Sequence, residues 1–214
     1  PLGSMMKDLI ERRLADPTLP MEEAFSQQLK EEKLELPAGQ FALFMNSMYA
    51  VDAYVRDYFR KAVLDELLAE KLPVTVFGEG WEKYSCGDEH SLRREPAVPF
   101  ALSFERITKA HVLLNVSPIF NRGMHDRVPA GMANHAVVLT DENPYLRRTF
   151  TDGKELLFYS LEKPDTLCEQ AERTLTDVRL REKIAASAYE TFEREYTWKR
   201  RAEQILAFAE EVEA

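Results

Sequence analysis

"HVLLNVSPIFNRGMHDRVPAGMANHAVVLT", residues 111–140, decides the fold. Its ends, "HVLLNV" and "HAVVLT", are short apolar runs of strand length. Between them lie a polar loop and "VPAGMAN" (128–134), too short for a free-standing helix but long enough for a crossover. Apolar runs bounded by turns and separated by helices predict parallel strands covered on both faces.

The same grammar extends in both directions. "PVTVFG" (73–78) reads as a strand ending in a glycine turn, "AVPFAL" (97–102) as a short strand, "SFERITKA" (103–110) as another crossover and "ELLFYS" (155–160) as a last strand. The expected class is α/β, a doubly wound parallel sheet with helices on both faces. Three helices follow, over 164–177, 179–196 and 197–214, with Pro164 suited to a first turn and Thr197 to an N-cap. Toward the N-terminus the chain turns helical. "MKDLIERRLADP" stops at Pro17, "MEEAFSQQLKEEKLEL" stops near Pro37, and residues 41–71 repeat apolar side chains at three- and four-residue steps. In that last helix Phe44, Met48, Val51, Val55, Tyr58 and Ala62 share a face, leaving Asp52, Arg56, Arg60 and Lys61 largely to solvent or a partner. The opening "PLGS" (1–4) reads as a protease-cleavage scar. The organisation expected is therefore a scar, a helical N-terminal segment over 5–71 and an α/β domain over 72–214.

With 214 residues, 45% of them hydrophobic, the chain can bury a proper core. A formal charge of -9 argues against a protein that neutralises nucleic-acid phosphates, although it allows a local basic pocket. Cys86 and Cys168 lie far apart without metal-ligand spacing, which points to a reducing, cytoplasmic setting and to no metal site. No apolar run is long enough for a transmembrane segment.

Ligands of such sheets gather at the carboxyl ends of the strands. Three polar loops fall there: "GEGWEKY" (78–84), "SPIFNRGMHDR" (117–127) and "TDENPYL" (140–146). Gly78 and Gly80 allow close backbone approach, though a plain turn explains them equally. The second loop says more. Gly123 is conformationally free, Asp126 and Arg127 precede a helix whose first amides favour an anion, and Arg122, His125 or Arg127 can add charge-assisted hydrogen bonds to a diphosphate. The plainer alternatives are an N-cap for Asp126 and a salt bridge for Arg127.

The ordered series of a strand followed by GxGW, then LN, R-G-x-x-x-R, M-A-x-x-A-V-V-x-T-D and Y-T-W-x-x-R, from about Pro73 to Leu206, resembles the C-terminal domain of CgeB-like glycosyltransferases of the GT-B superfamily. The resemblance implies a Rossmann-like half of a GT-B fold that binds a nucleotide-sugar donor. Its acceptor domain would lie N-terminal to this chain, and the acceptor, a glycan or a protein, is not named by the sequence. It implies that Arg122, His125 and Arg127 support the leaving diphosphate, and that Gly78, Gly80, Trp81, Asn121, Gly123, Met124, Asp126, Asp141 and Asn143 line the donor site. No cofactor is implied, and metal is usually unnecessary in such sites because the helix dipole and basic side chains stabilise the leaving group.

Two departures stand out. Where many retaining relatives have glutamates eight positions apart, this chain has Arg122 and Ala130, so contacts to donor hydroxyls fall to Asp126 or the carboxylates of "TDEN". The helical segment is also too short for an acceptor-side Rossmann domain, so the chain reads as part of a longer enzyme, with little activity alone. A non-catalytic interaction module is the rival reading. A dinucleotide oxidoreductase fares worse, because "GEGWEK" places Lys83 where a final glycine is sought.

Overall fold

The structure, a computed structural model, describes residues 2–213. Four helices come first: α1 (Leu2–Ala15), α2 (Met21–Glu31), α3 (Ala38–Ser47) and α4 (Tyr49–Ala69). Leu2–Ser4 of the supposed scar continue α1 as its first turn, and Pro1 lies outside the described residues. Pro20 and Pro37 occupy the N-cap positions of α2 and α3, where a missing N–H costs the helix nothing. The single helix expected over 41–71 breaks at Met48. That break lets Phe41 and Phe44 turn onto Phe25, at ring separations of 5.3 and 6.0 Å, while α4 runs on along the sheet. The buried stripe of α4 passes through Val51, Val55, Phe59, Val63 and Leu67. It does not pass through Tyr58, which is 49% exposed, because a stripe at four-residue steps selects Phe59.

Strand β1 (Val74–Phe77) pairs in parallel with β2 (Leu92–Glu95), and β3 (Val112–Asn115), β4 (Val137–Asp141) and β5 (Leu157–Tyr159) form a second parallel ladder in the order β3-β4-β5. The strand expected at 97–102 is not formed. Pro96 and Pro99 withhold ladder N–H groups there, and Pro99 instead opens helix α5 (Phe100–Ile107). The actual strand, "LRRE", hides behind two arginines. Arg94 bonds the carbonyls of Trp81 and Tyr84 at 3.0 and 2.9 Å and pairs with Glu89, so its charge fastens the loop after β1.

The remaining helices are α6 (Arg127–Ala133), α7 (Pro144–Thr149), α8 (Asp165–Thr176), α9 (Val178–Glu195) and α10 (Trp198–Glu213). Alternation along β4 shows both faces covered. Val137 and Leu139 enter a core with Leu9, Phe25, Val55, Leu167 and Ile184, whereas Val138 enters one with Val128, Met132, Phe158 and Ala188. Every residue of β4 is buried, as expected of a central parallel strand. Gly131 is where α6 meets the sheet: a Cβ there would stand 2.5 Å from Val138 Cγ2 and 3.0 Å from Leu113 Cδ2.

Candidate functional site

The carboxyl ends of β3 and β4 carry a buried polar network. Asn115 donates from Nδ2 to Thr140 Oγ1 at 2.9 Å, Ser117 donates its amide to Asp141 at 2.8 Å, and Tyr159 donates its hydroxyl to the Asn115 carbonyl at 2.9 Å. Arg127, the first residue of α6, lies across this network, with Nε on Asn115 Oδ1 at 2.9 Å and Nη2 on Ser117 Oγ at 3.0 Å. Its guanidinium is thus fixed by neutral oxygens and keeps its charge for another partner.

Two further basic groups face it. Arg60 reaches the site from α4, and burial followed by the nearness of Arg127 lowers its pKa. His125 is likewise held below the ordinary imidazole range, by burial first and then by Arg127, with Arg60 adding to the effect and Asp126 opposing it. Nδ1 of His125 accepts the Arg127 amide at 3.2 Å. The same nitrogen lies against the Asp126 carboxylate, an ion pair only for a protonated ring, and the lowered pKa favours the neutral, amide-accepting form. Burial lowers the Arg127 pKa in turn, yet a guanidinium stays charged at any ordinary pH. The buried counter-group is Asp141, pushed up to about 7 by burial against the opposing pull of the Ser117 amide and of Arg127 and Arg60. Three basic groups therefore converge where the opposing carboxyl is only partly ionised at neutral pH, an arrangement suited to an anionic ligand. Among the described residues no group of three or more His, Cys, Asp and Glu side chains gathers as metal ligands.

The other sequence candidates are divided among several places. Asp126 is exposed and occupies the N-cap position of α6 without a side-chain capping bond. Arg122 turns away from Arg127 and pairs with Glu23 of α2. With Asn121 and Gly123 it lines a cavity of about 320 Å³ that Arg13 and Asp52 close from the helical segment. Met124 packs against the core that covers the α6 side of the sheet. Asn143 caps α7 through the Leu146 amide at 2.8 Å and holds the loop by bonding the carbonyls of Phe120 and Gly123 at 2.9 and 3.2 Å, which makes it a positioning residue. Gly78 and Gly80 take positive φ of 122° and 90°, turning the chain so that Trp81 Nε1 reaches back to the Phe77 carbonyl at 3.3 Å. That loop is tied to β2 by Arg94, as a local unit.

The reading from sequence missed Arg60, Arg13, Asn115, Ser117, Thr140 and Tyr159. Asn115 and Thr140 end strands, a position that carries weight in such sheets. Arg13 and Arg60 gave no such signal, since only packing shows that they point inward.

Comparison with known proteins places the fold and the family. Anabaena HepE, in a crystal structure "in complex with UDP-glucose", has a similar fold, with a TM-score of 0.59 at 11% identity over 70% of this chain and 44% of that one. The C-terminal domain of the glycosyl transferase group 1 family protein LpcC from Francisella tularensis aligns with a TM-score of 0.40 at 11% identity, over 67% of this chain and 79% of that one. The chain thus spans under half the length of HepE and shares its fold over the aligned part. No curated protein sequence matches it. The family model described as "Glycosyl transferase-like" matches residues 56–207, a span that takes in Arg60, His125, Arg127 and both parallel ladders. On that match the chain belongs to the glycosyl transferase-like family.

Proposed function

We propose that this chain is the donor-binding part of a CgeB-like glycosyltransferase that transfers a sugar from a nucleoside-diphosphate sugar to an acceptor nucleophile. The observation that carries the reading is the convergence of Arg60, His125 and Arg127 at the carboxyl ends of β3 and β4. In the reaction the bond between the anomeric carbon and the diphosphate oxygen breaks, and a bond to the acceptor oxygen forms. The acceptor's proton leaves to a base outside this site, in the acceptor domain that would precede this chain. Charge accumulates on the departing diphosphate, where Arg60 and Arg127 neutralise it and His125 can donate from Nε2. Arg127 is pre-set for this by Asn115 and Ser117, so little reorganisation is needed as charge develops. Arg122, held by Glu23, supports the loop. The cation cluster supplies the charge that a metal supplies elsewhere, so metal is not required in this scheme.

Calorimetric titration with UDP, GDP, ADP and dTDP, without metal and then with magnesium, tests the reading. Saturable binding of one of them is expected, and the UDP-glucose held by HepE makes UDP the first to try. A folded sample that binds none would favour the rival reading of an interaction module. The exposed apolar face of α10, with Ile205, Leu206, Phe208 and Val212, supports that rival.

A further inference from the structure

Helix α10 presents a contact surface that the rest of the chain does not cover. Every residue from Ala202 to Val212 is exposed, and no α10 side chain enters an apolar core of the described residues. Its ties to the body lie in the first turn, where Arg200 bonds the Arg194 carbonyl and Arg201 stacks on Tyr196. A helix of 16 residues standing alone in water is marginally stable. Yet Trp198, Ile205, Leu206, Phe208 and Val212, each between 65% and 90% exposed, gather on one side of it at three-, four- and seven-residue steps.

The charges of α10 also run the wrong way for a solitary helix. Lys199, Arg200 and Arg201 lie at its N-terminal end, the positive pole of the helix dipole, and Glu210 and Glu211 lie near the negative pole. Both sets are unfavourable where they stand. Lys199, Glu210 and Glu211 have no ion-pair partner among the described residues. An antiparallel neighbour of the same sequence removes the conflict, because each basic end then meets an acidic end and a negative pole. A parallel copy would set like charges side by side.

We propose that α10 pairs antiparallel with α10 of a second copy of this chain, forming a two-fold symmetric dimer. Such an axis across the helix makes the contact self-complementary. With the axis between Ile205 and Leu206, Ala202 of each copy faces Ala209 of the other, and these small side chains let the helices approach. At the exposures seen, two aromatic and three aliphatic side chains offer roughly 500 Å² per copy. The pair then buries about 1,000 Å² in all, the lower bound for a specific interface. The dimer is therefore reversible, with a Kd of about 1–100 µM. The inference goes beyond the glycosyltransferase reading and holds whether or not the chain binds nucleotide.

Sedimentation velocity of the chain from about 1 to about 300 µM spans that range and tests the dimer. A concentration-dependent shift from monomer to dimer is expected, and a monomer throughout overturns the proposal. Leu206→Glu places a charge at the centre of the pair but on the surface of the single chain. It should abolish the dimer and leave thermal unfolding of the dilute protein unchanged; association retained in L206E would put the contact elsewhere and overturn the proposal. Lys199 and Glu210 stand about three helical turns apart, so they share a flank of α10. Lys199→Glu and Glu210→Lys should each weaken the dimer about 3- to 10-fold, by turning two symmetric attractions into repulsions, and the double variant K199E/E210K should restore it. A double variant no tighter than either single one would rule out the antiparallel pair.

Discussion

Asp141 ends the central strand almost out of contact with water, and its carboxyl is pushed up to about 7 although the Ser117 amide donates to it. In the unfolded chain the same group titrates near 3.8. Between those values the fold holds a proton that the unfolded chain has lost, so this residue's contribution to stability declines as pH rises from about 4 through 7 and levels off above that. The full difference corresponds to about 4 kcal/mol at most. Asp141→Asn keeps an acceptor for Ser117 and removes the ionisation, so its stability relative to wild type should improve by a few kcal/mol between pH 5 and pH 8. Denaturant unfolding at both pH values checks this, and parallel wild-type and variant curves would count against it. The same ionisation opposes an anion beside it, so a nucleotide sugar, whose diphosphate does not titrate in this window, should bind more tightly at pH 6 than at pH 8. Arg127→Gln and Arg60→Gln should each cost about 10- to 100-fold in nucleotide affinity, the range for losing a charged hydrogen bond, with little change in unfolding. Calorimetry reads the affinity, and full binding by either variant would take that residue out of the site. The loop half of this site was legible because Arg127 and His125 precede a short helix at a strand's carboxyl end. The helix half was not: Asp52, Arg56 and Arg60 recur at four-residue steps beside the apolar stripe, and such a row looks the same whether it faces water or a second basic cluster.

Helix α6 shows how a site loop is anchored by a residue with no side chain. Gly131 lets α6 settle onto β3 and β4, and with it come Arg127 at one end of the helix and His135, at φ 56°, in the turn that leads back into β4. A methyl group at 131 would meet Val138 and Leu113 inside their ordinary contact distances, and both belong to strands that cannot withdraw. Gly131→Ala is therefore expected to destabilise by about 1–3 kcal/mol, against the usual gain from alanine in a helix, and to weaken nucleotide binding as α6 lifts. Equal or higher thermal stability in that variant would mean that the sheet yields where its packing says it does not. Elements of this kind were readable wherever apolar runs and turn residues coincide, as at β1, β3, β4 and β5. Where charge does a structural job they were not. The strand "LRRE" is held by Arg94 bonding the preceding loop, and α7 depends on the Asn143 cap and Pro144, features that hydrophobic periodicity does not register.

Across the whole molecule the helical segment and the sheet share a single apolar core, in which Leu9, Phe25, Met48 and Val55 pack with Val137, Leu139, Leu157 and Ile184. Arg13 adds a polar rivet, joining α1 to α4 through Asp52 and to the sheet through Pro118. Helices α1, α2 and α4 of the segment before residue 72 thus contribute buried side chains to the same core as the sheet, while α3 packs against it with partly buried ones. The opposite end of the chain behaves differently. Trp198 of α10 is 90% exposed, and the helix is tied back chiefly by Arg200 bonding the Arg194 carbonyl at 2.8 Å and by Arg201 stacking on Tyr196. Both are surface contacts of modest strength. Removing residues 198–214 should therefore cost about 1 kcal/mol or less, a drop in Tm of roughly 2–4 °C for a chain of this size, whereas removing α1 should abolish cooperative unfolding by opening the shared core. Thermal melts followed by circular dichroism and by tryptophan fluorescence from Trp81 distinguish the cases. If losing α10 collapses the fold while losing α1 is tolerated, the core lies elsewhere than the packing of Leu9 and Phe25 places it.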